Sequence, residues 1–223
     1  MSTFQQTPIR EFSAWAGGRG GAYRWKRAVD LGLIIATAAL ALPFVILIGA
    51  AIKLTSAGPV FYRQVRYGRD GATFTAWKFR TMVRNASEVL ARHLERNPAL
   101  RQEWDRSHKL RHDPRVTAAG RVLRRTSLDE LPQIWNVLRG EMSVVGPRPI
   151  VADEIALYGE AYELYTRVRP GITGLWQVSG RNDLPYEKRV QLDTYYIRNW
   201  SPWLDLYILA RTVAAVLMAR GAY

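Results

Sequence analysis

Two adjacent carboxylates, Asp129 and Glu130, are the residues of this sequence best suited to catalysis. They follow a cluster of guanidinium groups contributed by Arg121, Arg124 and Arg125. A carboxylate that nearby arginines keep ionised can act as a nucleophile on phosphorus. Adjacent residues on a helix face different directions, so we expect the two carboxylates to have separate roles, one attacking and the other holding a metal ion.

A structural role is the alternative for this segment. Ser127 and Glu130 match the capping-box pattern, in which the two side chains satisfy free backbone amides at a helix start. Pro132 fits poorly inside a helix that begins at Ser127, so we expect the regular helix to start near residue 131 or 132. In both cases the carboxylates lie at a helix N-terminus, where the helix dipole and the arginines favour their ionised forms. From the residues alone, both interpretations stay open.

The charge of the chain implies an anionic partner. Lys and Arg outnumber Asp and Glu by 32 to 19, for a net charge of +13, which suits nucleic acid, a phosphate-bearing substrate or an acidic lipid surface. A diphosphate substrate would be neutralised by arginines such as Arg124, Arg125 and Arg148 together with a divalent ion such as Mg2+. The sequence contains no cysteine, which excludes disulfides, thiolate metal sites and cysteine nucleophiles.

A membrane element is predicted by residues 31–52, which run for 22 positions without a charge. The segment is too long, and begins too far from the N-terminus, for a cleaved signal peptide. Basic residues flank both of its ends, and the positive-inside rule therefore keeps both flanks in the cytoplasm. Pro43 removes a backbone hydrogen bond near the middle. We expect a re-entrant segment that bends at Pro43, and a kinked spanning helix is the alternative.

Local patterns predict further elements. Residues 1–22 are polar and glycine-rich, which indicates a mobile N-terminal tail. Alternating aromatic and β-branched residues on either side of the turn at 68–71 predict a short β-hairpin. The charged segment 84–111 predicts one or two surface helices interrupted at Pro98.

An apolar helix is predicted near the C-terminus, from Trp203 to Ala219. Trp200 and Trp203 at its edge suit the lipid headgroup level, so this helix would lie at the membrane interface. Packing of the helix against the domain core accounts for the same pattern, and this alternative stays open.

Six segments along the chain form a specific combination in a fixed order. They are KRAVD at 26–30, GPVFYRQ at 58–64, KFRTM at 78–82, SLDELPQ at 127–133, VGPRP at 145–149 and RPGITGLWQVSGRN at 169–182. On these segments the chain resembles the monotopic phosphoglycosyl transferases, also called bacterial sugar transferases, over about residues 24 to 217. Members of this family initiate the assembly of exopolysaccharides, capsules and other glycans.

The resemblance implies an α+β, helix-rich fold. We expect a monotopic membrane protein with a re-entrant helix hairpin at 23–53 that is broken at Pro43, interfacial amphipathic helices and a small β element. Residues 54–223 would form the catalytic domain at the cytoplasmic face of the inner membrane, in the minimal single-domain form of the family. Some members carry Ser-Pro at the break, whereas this chain has Leu42-Pro43, so any contribution of a serine to the bend is absent.

The resemblance also implies a two-step reaction. Asp129 would attack the diphosphate of a UDP-hexose, UMP would leave, and undecaprenyl phosphate would then take the hexose 1-phosphate from the enzyme. The segment 176–182 looks like that of members that handle glucose or galactose. Glu130 would bind Mg2+ as the cofactor, and Arg124 would contact the polyprenyl phosphate.

Further residues match polar positions at which the family binds its substrates. Arg148 and Arg181 would hold phosphate or nucleotide. Lys78, Arg80 and Asp193 match other polar positions of this kind, and the resemblance gives them no more specific role.

Two functions from other classes compete with this interpretation. A nucleic-acid-binding module would use the charge of +13 and the eight tryptophans, but the basic residues flank an apolar membrane segment and no recognition motif is present. A non-catalytic basic membrane scaffold would leave Asp129 and Glu130 with only a capping role. We therefore expect an enzyme that contacts the lipid bilayer and binds no nucleic acid, and the sequence leaves a homodimer open.

Overall fold

The computed structural model of the chain describes residues 21–107, 110, 112–180 and 183–218. All but the last two residues of the predicted tail at 1–22 lie outside this part. Helices predominate in it, and its short strands form two small sheets. This composition agrees with the expected helix-rich α+β fold.

The α-helices of the described part are α1 (Gly21–Thr55), α2 (Ala86–Arg96), α3 (Pro98–Ser107), α4 (Ala118–Thr126), α5 (Ile134–Arg139), α6 (Ala152–Tyr158), α7 (Ala161–Tyr165), α8 (Leu175–Ser179), α9 (Tyr186–Arg198) and α10 (Pro202–Met218). Its strands are β1 (Phe61–Tyr67), β2 (Thr73–Phe79), β3 (Ser143–Val145) and β4 (Gly171–Thr173). Two 3₁₀ helices lie at Arg69–Gly71 and Leu128–Gln133.

Helix α1 contains the apolar segment and extends two residues beyond the predicted 23–53 at each end. Its length and the mean hydropathy of 2.7 of its most apolar 18 residues would allow it to cross a membrane. Leu40, Leu42 and Phe44 near its centre are exposed, as expected of a helix surface that lipid covers. Pro43 lies inside the helix, which continues across it. The predicted break at Pro43 therefore stays a prediction.

The N-terminal arm of α1 is attached to the rest of the chain through polar contacts. Asp30 is buried and accepts hydrogen bonds from Ser143 Oγ at 2.8 Å and from the Val144 amide at 3.1 Å. Lys26 forms an ion pair with Asp205 of α10. Because buried carboxylates need such partners, these contacts join the start of the apolar helix to strand β3 and to the C-terminal helix.

The C-terminal arm of α1 is attached to the β-hairpin. Ile52 packs with Phe79 in a buried cluster, and Arg80 donates hydrogen bonds to the carbonyl oxygens of Ser56 at 2.8 Å and Ala57 at 2.5 Å. These carbonyl groups follow the last helical turn, where helical partners are lacking. Arg80 thus fixes the point at which the chain leaves the helix.

The predicted β-hairpin is confirmed. β1 and β2 are antiparallel, with Phe61 opposite Phe79, and the 3₁₀ helix Arg69–Gly71 forms the turn. The amide of Arg80 donates to the carbonyl of Val60 at 2.9 Å, so the even-numbered residues of both strands form the hydrogen-bonded pairs. The backbone groups of the odd-numbered residues therefore point away from the partner strand.

A side chain closes the outer edge of β2. Asn136 of α5 is fully buried, accepts a hydrogen bond from the Trp77 amide at 3.1 Å and donates one to the Thr75 carbonyl at 2.7 Å. A third bond joins its side-chain amide to Glu141 at 2.6 Å. Because buried backbone groups need partners, Asn136 takes over the role of a neighbouring strand.

The predicted surface helices at 84–111 are confirmed as α2 and α3. Helix α2 ends at Arg96, and Pro98 begins α3, where its missing amide costs no helical hydrogen bond. Asn97 between them accepts a hydrogen bond from the amide of Ala99 at 3.1 Å. Asn97 thus starts α3 with the capping chemistry that favours Asn before a helix.

The second sheet carries a large part of the core. Strands β3 and β4 are parallel, and Val145 of β3 forms one buried cluster with Tyr196 of α9 and Ile208 of α10. One face of α10 therefore packs against the core, while Trp203 on the same helix is 78% exposed. A membrane-interface position of the exposed face stays a prediction.

Replacement of Asn136 by alanine tests whether this side chain holds the hairpin. Asn136→Ala leaves two backbone groups of β2 without their partners, and we expect it to lower the free energy of unfolding by about 2 to 4 kcal/mol. Thermal unfolding of the detergent-solubilised protein measures the loss. Asn199→Ala is the matched control, because Asn199 is exposed and its side chain bonds to Tyr195, one turn earlier. Equal effects of the two variants would contradict the role of Asn136.

Candidate active site

The segment that carries the two carboxylates begins with a reversal of the backbone. Ser127 ends helix α4 in the left-handed conformation, with φ 58° and ψ 15°. Its side chain makes no capping hydrogen bond to the following 3₁₀ helix Leu128–Gln133. The capping-box interpretation is therefore wrong, because an N-cap residue needs an extended backbone, whereas Ser127 terminates the preceding helix. Pro132 is accommodated in the 3₁₀ helix, and the regular helix starts later than expected, at Ile134.

Glu130 is held by two cations. Its Oε1 atom lies 2.6 Å from Lys78 Nζ and 3.2 Å from Arg148 Nη1, and its side chain is only 14% exposed. Burial by itself would raise the pKa of Glu130, but the charges and hydrogen bonds of Lys78 and Arg148 lower it to about 2. Glu130 is therefore ionised at neutral pH, and strand β2 and the segment after β3 each supply one of its partners.

The pKa of Asp129 is shifted in the opposite direction, although Asp129 directly precedes Glu130 in the sequence. Burial raises the pKa of Asp129 to about 6, the negative charge of Glu130 adds to this, and the charges of Lys78, Arg124 and Arg148 oppose it. Contrary to the expectation from the sequence, burial thus outweighs the arginines at this residue. The pKa values of the two carboxylates are pushed apart, as separate acid–base roles require.

Arg124 approaches the pair from helix α4. Its Nε atom donates to Thr81 Oγ1 at 2.9 Å. Burial lowers the pKa of Arg124, and the charges of Asp129 and Asp113 raise it, which shows that its guanidinium interacts with the site. Arg125, the next residue, is exposed and does not join the pair.

Arg148 follows strand β3 at a tight backbone approach. A Cβ atom added to Gly171 would lie 2.1 Å from the Gly146 amide nitrogen, so a side chain there would require the backbone to move. The guanidinium carbon of Arg148 lies 6.0 Å from the ring centre of Trp176, and that of Arg189 lies 4.9 Å from the same ring. Trp176 therefore brings two guanidinium groups together at the edge of the site.

Arg66 is a buried cation near the pair that sequence reasoning missed. It donates to the Pro149 carbonyl at 3.0 Å and to Gln64 Oε1 at 2.7 Å, and it lies 3.6 Å from Glu154 Oε2. These contacts hold the residue that follows Arg148. The alternation of side chains along β1 could have indicated this position of Arg66, because the even-numbered residues of β1 share one face of the hairpin with Lys78.

The structure brings together five of the residues expected at the site, namely Asp129, Glu130, Lys78, Arg124 and Arg148. Arg80 instead binds the carbonyl groups at the end of α1. Asp193 is fully buried and accepts a hydrogen bond from Tyr158 at 2.7 Å, and burial raises its pKa to about 8. Its carboxylate also lies beside Arg148, whose backbone hydrogen bond and charge lower this pKa, and the expected contact of Asp193 with a substrate stays a prediction. Arg181 lies outside the described residues, so its contact with phosphate or nucleotide stays a prediction.

The donor set for a divalent cation is small. No group of three or more His, Asp or Glu side chains that could hold a metal ion occurs among the described residues. Mg2+ needs only one or two carboxylates when phosphate oxygens of a substrate and water complete its shell. The adjacent carboxylates of Asp129 and Glu130 fit this requirement, although Glu130 Oε1 already accepts from Lys78 and Arg148.

Replacement of Asp129 by asparagine should stabilise the folded protein at neutral pH. The raised pKa means that the folded state resists ionisation of this carboxyl, so stability falls as the pH rises from 3.8, the ordinary pKa of an aspartate, to about 6. At neutral pH the resulting penalty is at most about 3 kcal/mol, and the amide of Asp129→Asn avoids it.

Thermal unfolding as a function of pH measures this effect. The advantage of Asp129→Asn over the wild type should shrink as the pH falls below about 6, where the folded state binds the proton, and vanish below 3.8, where the unfolded state binds it as well. Asp153→Asn, on the exposed surface of α6, serves as the control for the loss of one negative charge. An advantage that does not change with pH would contradict the buried environment of Asp129.

Comparison with known proteins identifies the family of the chain. The bacterial sugar transferase family model matches residues 21–219. The exopolysaccharide production protein ExoY of Sinorhizobium fredii is 51% identical over 199 residues, which cover 89% of this chain and 88% of that protein. Undecaprenyl-phosphate galactose phosphotransferase of Salmonella typhimurium is 48% identical over 198 residues, or 89% of this chain and 41% of that protein. UDP-glucose:undecaprenyl-phosphate glucose-1-phosphate transferase of Klebsiella pneumoniae is 41% identical over 209 residues, which cover 89% of this chain and 41% of that protein. The chain therefore belongs to the bacterial sugar transferase family and is a phosphoglycosyl transferase.

Proposed function

We propose that the enzyme transfers hexose 1-phosphate from a UDP-hexose to undecaprenyl phosphate through a phosphosugar bound covalently to Asp129. The observation that carries the proposal is the divergent pair of adjacent carboxylates, with a pKa of about 6 for Asp129 and about 2 for Glu130. The names of the Salmonella and Klebsiella relatives specify undecaprenyl phosphate, with galactose in one and UDP-glucose in the other. They support these substrate classes and favour galactose or glucose as the sugar.

In the first step, a carboxylate oxygen of Asp129 attacks the phosphorus that bears the sugar. The bond from this phosphorus to the bridging oxygen of the diphosphate breaks, and UMP leaves with the electron pair. The site suits this step because it is positively charged where the diphosphate would develop negative charge. Lys78 and Arg148 supply that charge while they hold Glu130.

In the second step, a phosphate oxygen of undecaprenyl phosphate attacks the same phosphorus and restores the Asp129 carboxylate. The product is the hexose joined to the lipid through a diphosphate. Arg124 is suited to bind the acceptor phosphate, because its guanidinium interacts with Asp129 and only its Nε atom is bound to Thr81. Glu130, with phosphate oxygens of the donor, would hold Mg2+, which neutralises diphosphate charge when it is bound.

Contacts at both ends of α1 support a re-entrant position in the membrane. Asp30 and Ile52 lie about 33 Å apart along a straight helix, comparable to the bilayer hydrocarbon thickness of about 30 Å. A spanning helix would place one of them on the far side, yet both contact the same charged domain. We infer that α1 enters and leaves on the cytoplasmic side of the inner membrane, with Pro43 near its deepest point. The first step of exopolysaccharide or related glycan assembly would then occur at this surface.

Release of UMP from UDP-glucose and UDP-galactose by the purified chain tests the proposed reaction. With Mg2+ and undecaprenyl phosphate present, Asp129→Asn should lower turnover by a factor on the order of 10⁴ or more, as loss of a nucleophile does. Glu130→Gln should lower it by roughly 10² to 10³, since it removes charge that organises the site. Asp153→Asn should keep the wild-type rate.

Trapping of the covalent intermediate separates the nucleophile from the other site residues. Without undecaprenyl phosphate, wild-type protein incubated with UDP-hexose labelled in the sugar should retain label after denaturation, and Asp129→Asn should retain none. Thermal unfolding confirms that the variant is folded. If folded Asp129→Asn released UMP at the wild-type rate, the proposed intermediate would be excluded and a non-catalytic scaffold role for this segment would move ahead.

The pH dependence of the reaction should report Asp129. We expect kcat/KM for the UDP-hexose to rise with pH through an apparent pKa near 6, because only the ionised carboxylate attacks. The positive charge of Lys78 lowers the pKa of Asp129. Lys78→Met should therefore move the rising limb of the pH profile of kcat/KM to higher pH. Lys188→Met, at an exposed position of α9, is the control. A limb that stays in place in Lys78→Met would contradict the assignment.

A further inference from the structure

The β-hairpin has an outward side that the reaction does not use. It consists of the odd-numbered residues Phe61, Arg63 and Val65 of β1 with Trp77 of β2, and we call it the outer hairpin face. Phe61 is 43% exposed and Val65 is 61% exposed. Cross-strand neighbours share a face, so these side chains lie opposite to Lys78, which reaches Glu130 from the other side of the same strand.

Ring contacts join the outer hairpin face into one patch. Phe61 stacks on Phe79 with 5.5 Å between ring centres and meets Trp77 edge to face at 6.1 Å. The guanidinium carbon of Arg63 lies 5.6 Å from the ring centre of Trp77. An aromatic patch with one cation over its tryptophan is typical of protein surfaces at the lipid headgroup level.

The outer hairpin face adjoins helix α1. Phe79, on the same side of the sheet, packs in one cluster with Ile52, and Val45 and Ile48 contact this cluster. Leu47, on the same arm of α1, is 66% exposed. Only residues 56–60 separate the end of α1 from the start of β1. The apolar residues of the helix and of the hairpin therefore meet in one cluster, and the outer hairpin face lies next to the exposed apolar surface of α1.

We propose that the outer hairpin face rests on the lipid bilayer as a second membrane contact beside α1. The inference rests on the membrane position of α1 that the proposed function assumes. Arg63 would meet the phosphates of anionic lipids, while Phe61 and Val65 would reach toward the acyl chains. The active site would thereby be held at a fixed distance above the lipid, because Lys78 belongs to the same strands.

The contact is shallow for a physical reason. The backbone amides and carbonyls of Phe61, Arg63 and Val65 point away from β2, as the hydrogen-bonding register requires. Such groups need partners and do not enter the hydrocarbon region unpaired. The strand therefore lies among headgroups and water, with only its side chains in contact with lipid. An unpaired strand edge could alternatively bind a second copy of the chain, and the experiment distinguishes this outcome.

Site-directed spin labelling tests the proposal directly, because the chain contains no cysteine. A nitroxide is attached to Val65→Cys in the full chain, reconstituted in nanodiscs of equimolar phosphatidylcholine and phosphatidylglycerol. Collision with oxygen reports lipid exposure, and collision with a water-soluble nickel complex reports exposure to water. Leu47→Cys on α1 and Leu157→Cys on α6 are matched controls, since both leucines are exposed apolar residues.

We expect collisions with oxygen to exceed collisions with the nickel complex strongly at Leu47→Cys and more weakly at Val65→Cys. At Leu157→Cys, collisions with the nickel complex should exceed those with oxygen. If Val65→Cys resembles Leu157→Cys while Leu47→Cys lies in lipid, the hairpin contact is wrong and the membrane position of α1 stands. If Leu47→Cys itself lies in water, that position fails and the hairpin proposal fails with it. If Val65→Cys is shielded from both reagents and its spectrum sharpens on dilution with unlabelled protein, a second copy covers this face and the bilayer contact is overturned.

Discussion

Two positive charges meet at one carboxylate oxygen of Glu130, and the positions of both depend on the apolar helix α1. Lys78 lies on β2, whose last residue packs in a cluster with Ile52 of α1. Arg148 follows β3, which binds Asp30 at the other end of the same helix. A buried carboxylate is stable only while its cations remain in place. The charge arrangement of the site and the attachment of α1 to the domain therefore depend on each other.

Burial, together with the permanent charge of Glu130, raises the pKa of Asp129. Burial and the adjacent negative charge both oppose ionisation of Asp129, and the surrounding cations limit this opposition. A group whose pKa lies near the working pH combines a populated ionised form with high basicity, which suits a nucleophile. The ionised carboxylate of Asp129 therefore lowers the stability of the folded chain, and the same environment makes it more reactive. Such a loss of stability in exchange for activity is common at functional sites.

Local sequence patterns were sufficient for the hairpin, the surface helices and the carboxylate pair, because each depends on neighbouring residues. Ser127 shows where such patterns fail. Its residue type fits an N-cap, but α4 ends at the same position and gives it a left-handed backbone. Trp176 and Arg189 could not be assigned, since their proximity to the site depends on the pairing of β3 with β4 and on the packing of α9. These contacts join residues far apart in the sequence, and only the fold determines them.

Strand β2 contributes to two surfaces because the side chains of a strand alternate. Trp77 and Phe79 lie on the side of the apolar helix surface, and Lys78 between them reaches Glu130 on the other side. A shift of the pairing by one residue would exchange the two sides, which would bury an aromatic ring in the site and turn the lysine away from its carboxylate. Asn136 holds the other edge of β2 through hydrogen bonds to the Trp77 amide and the Thr75 carbonyl. Because α5, which carries Asn136, directly follows the carboxylate segment, the part of the chain that supplies the proposed nucleophile also holds the strand that carries Lys78.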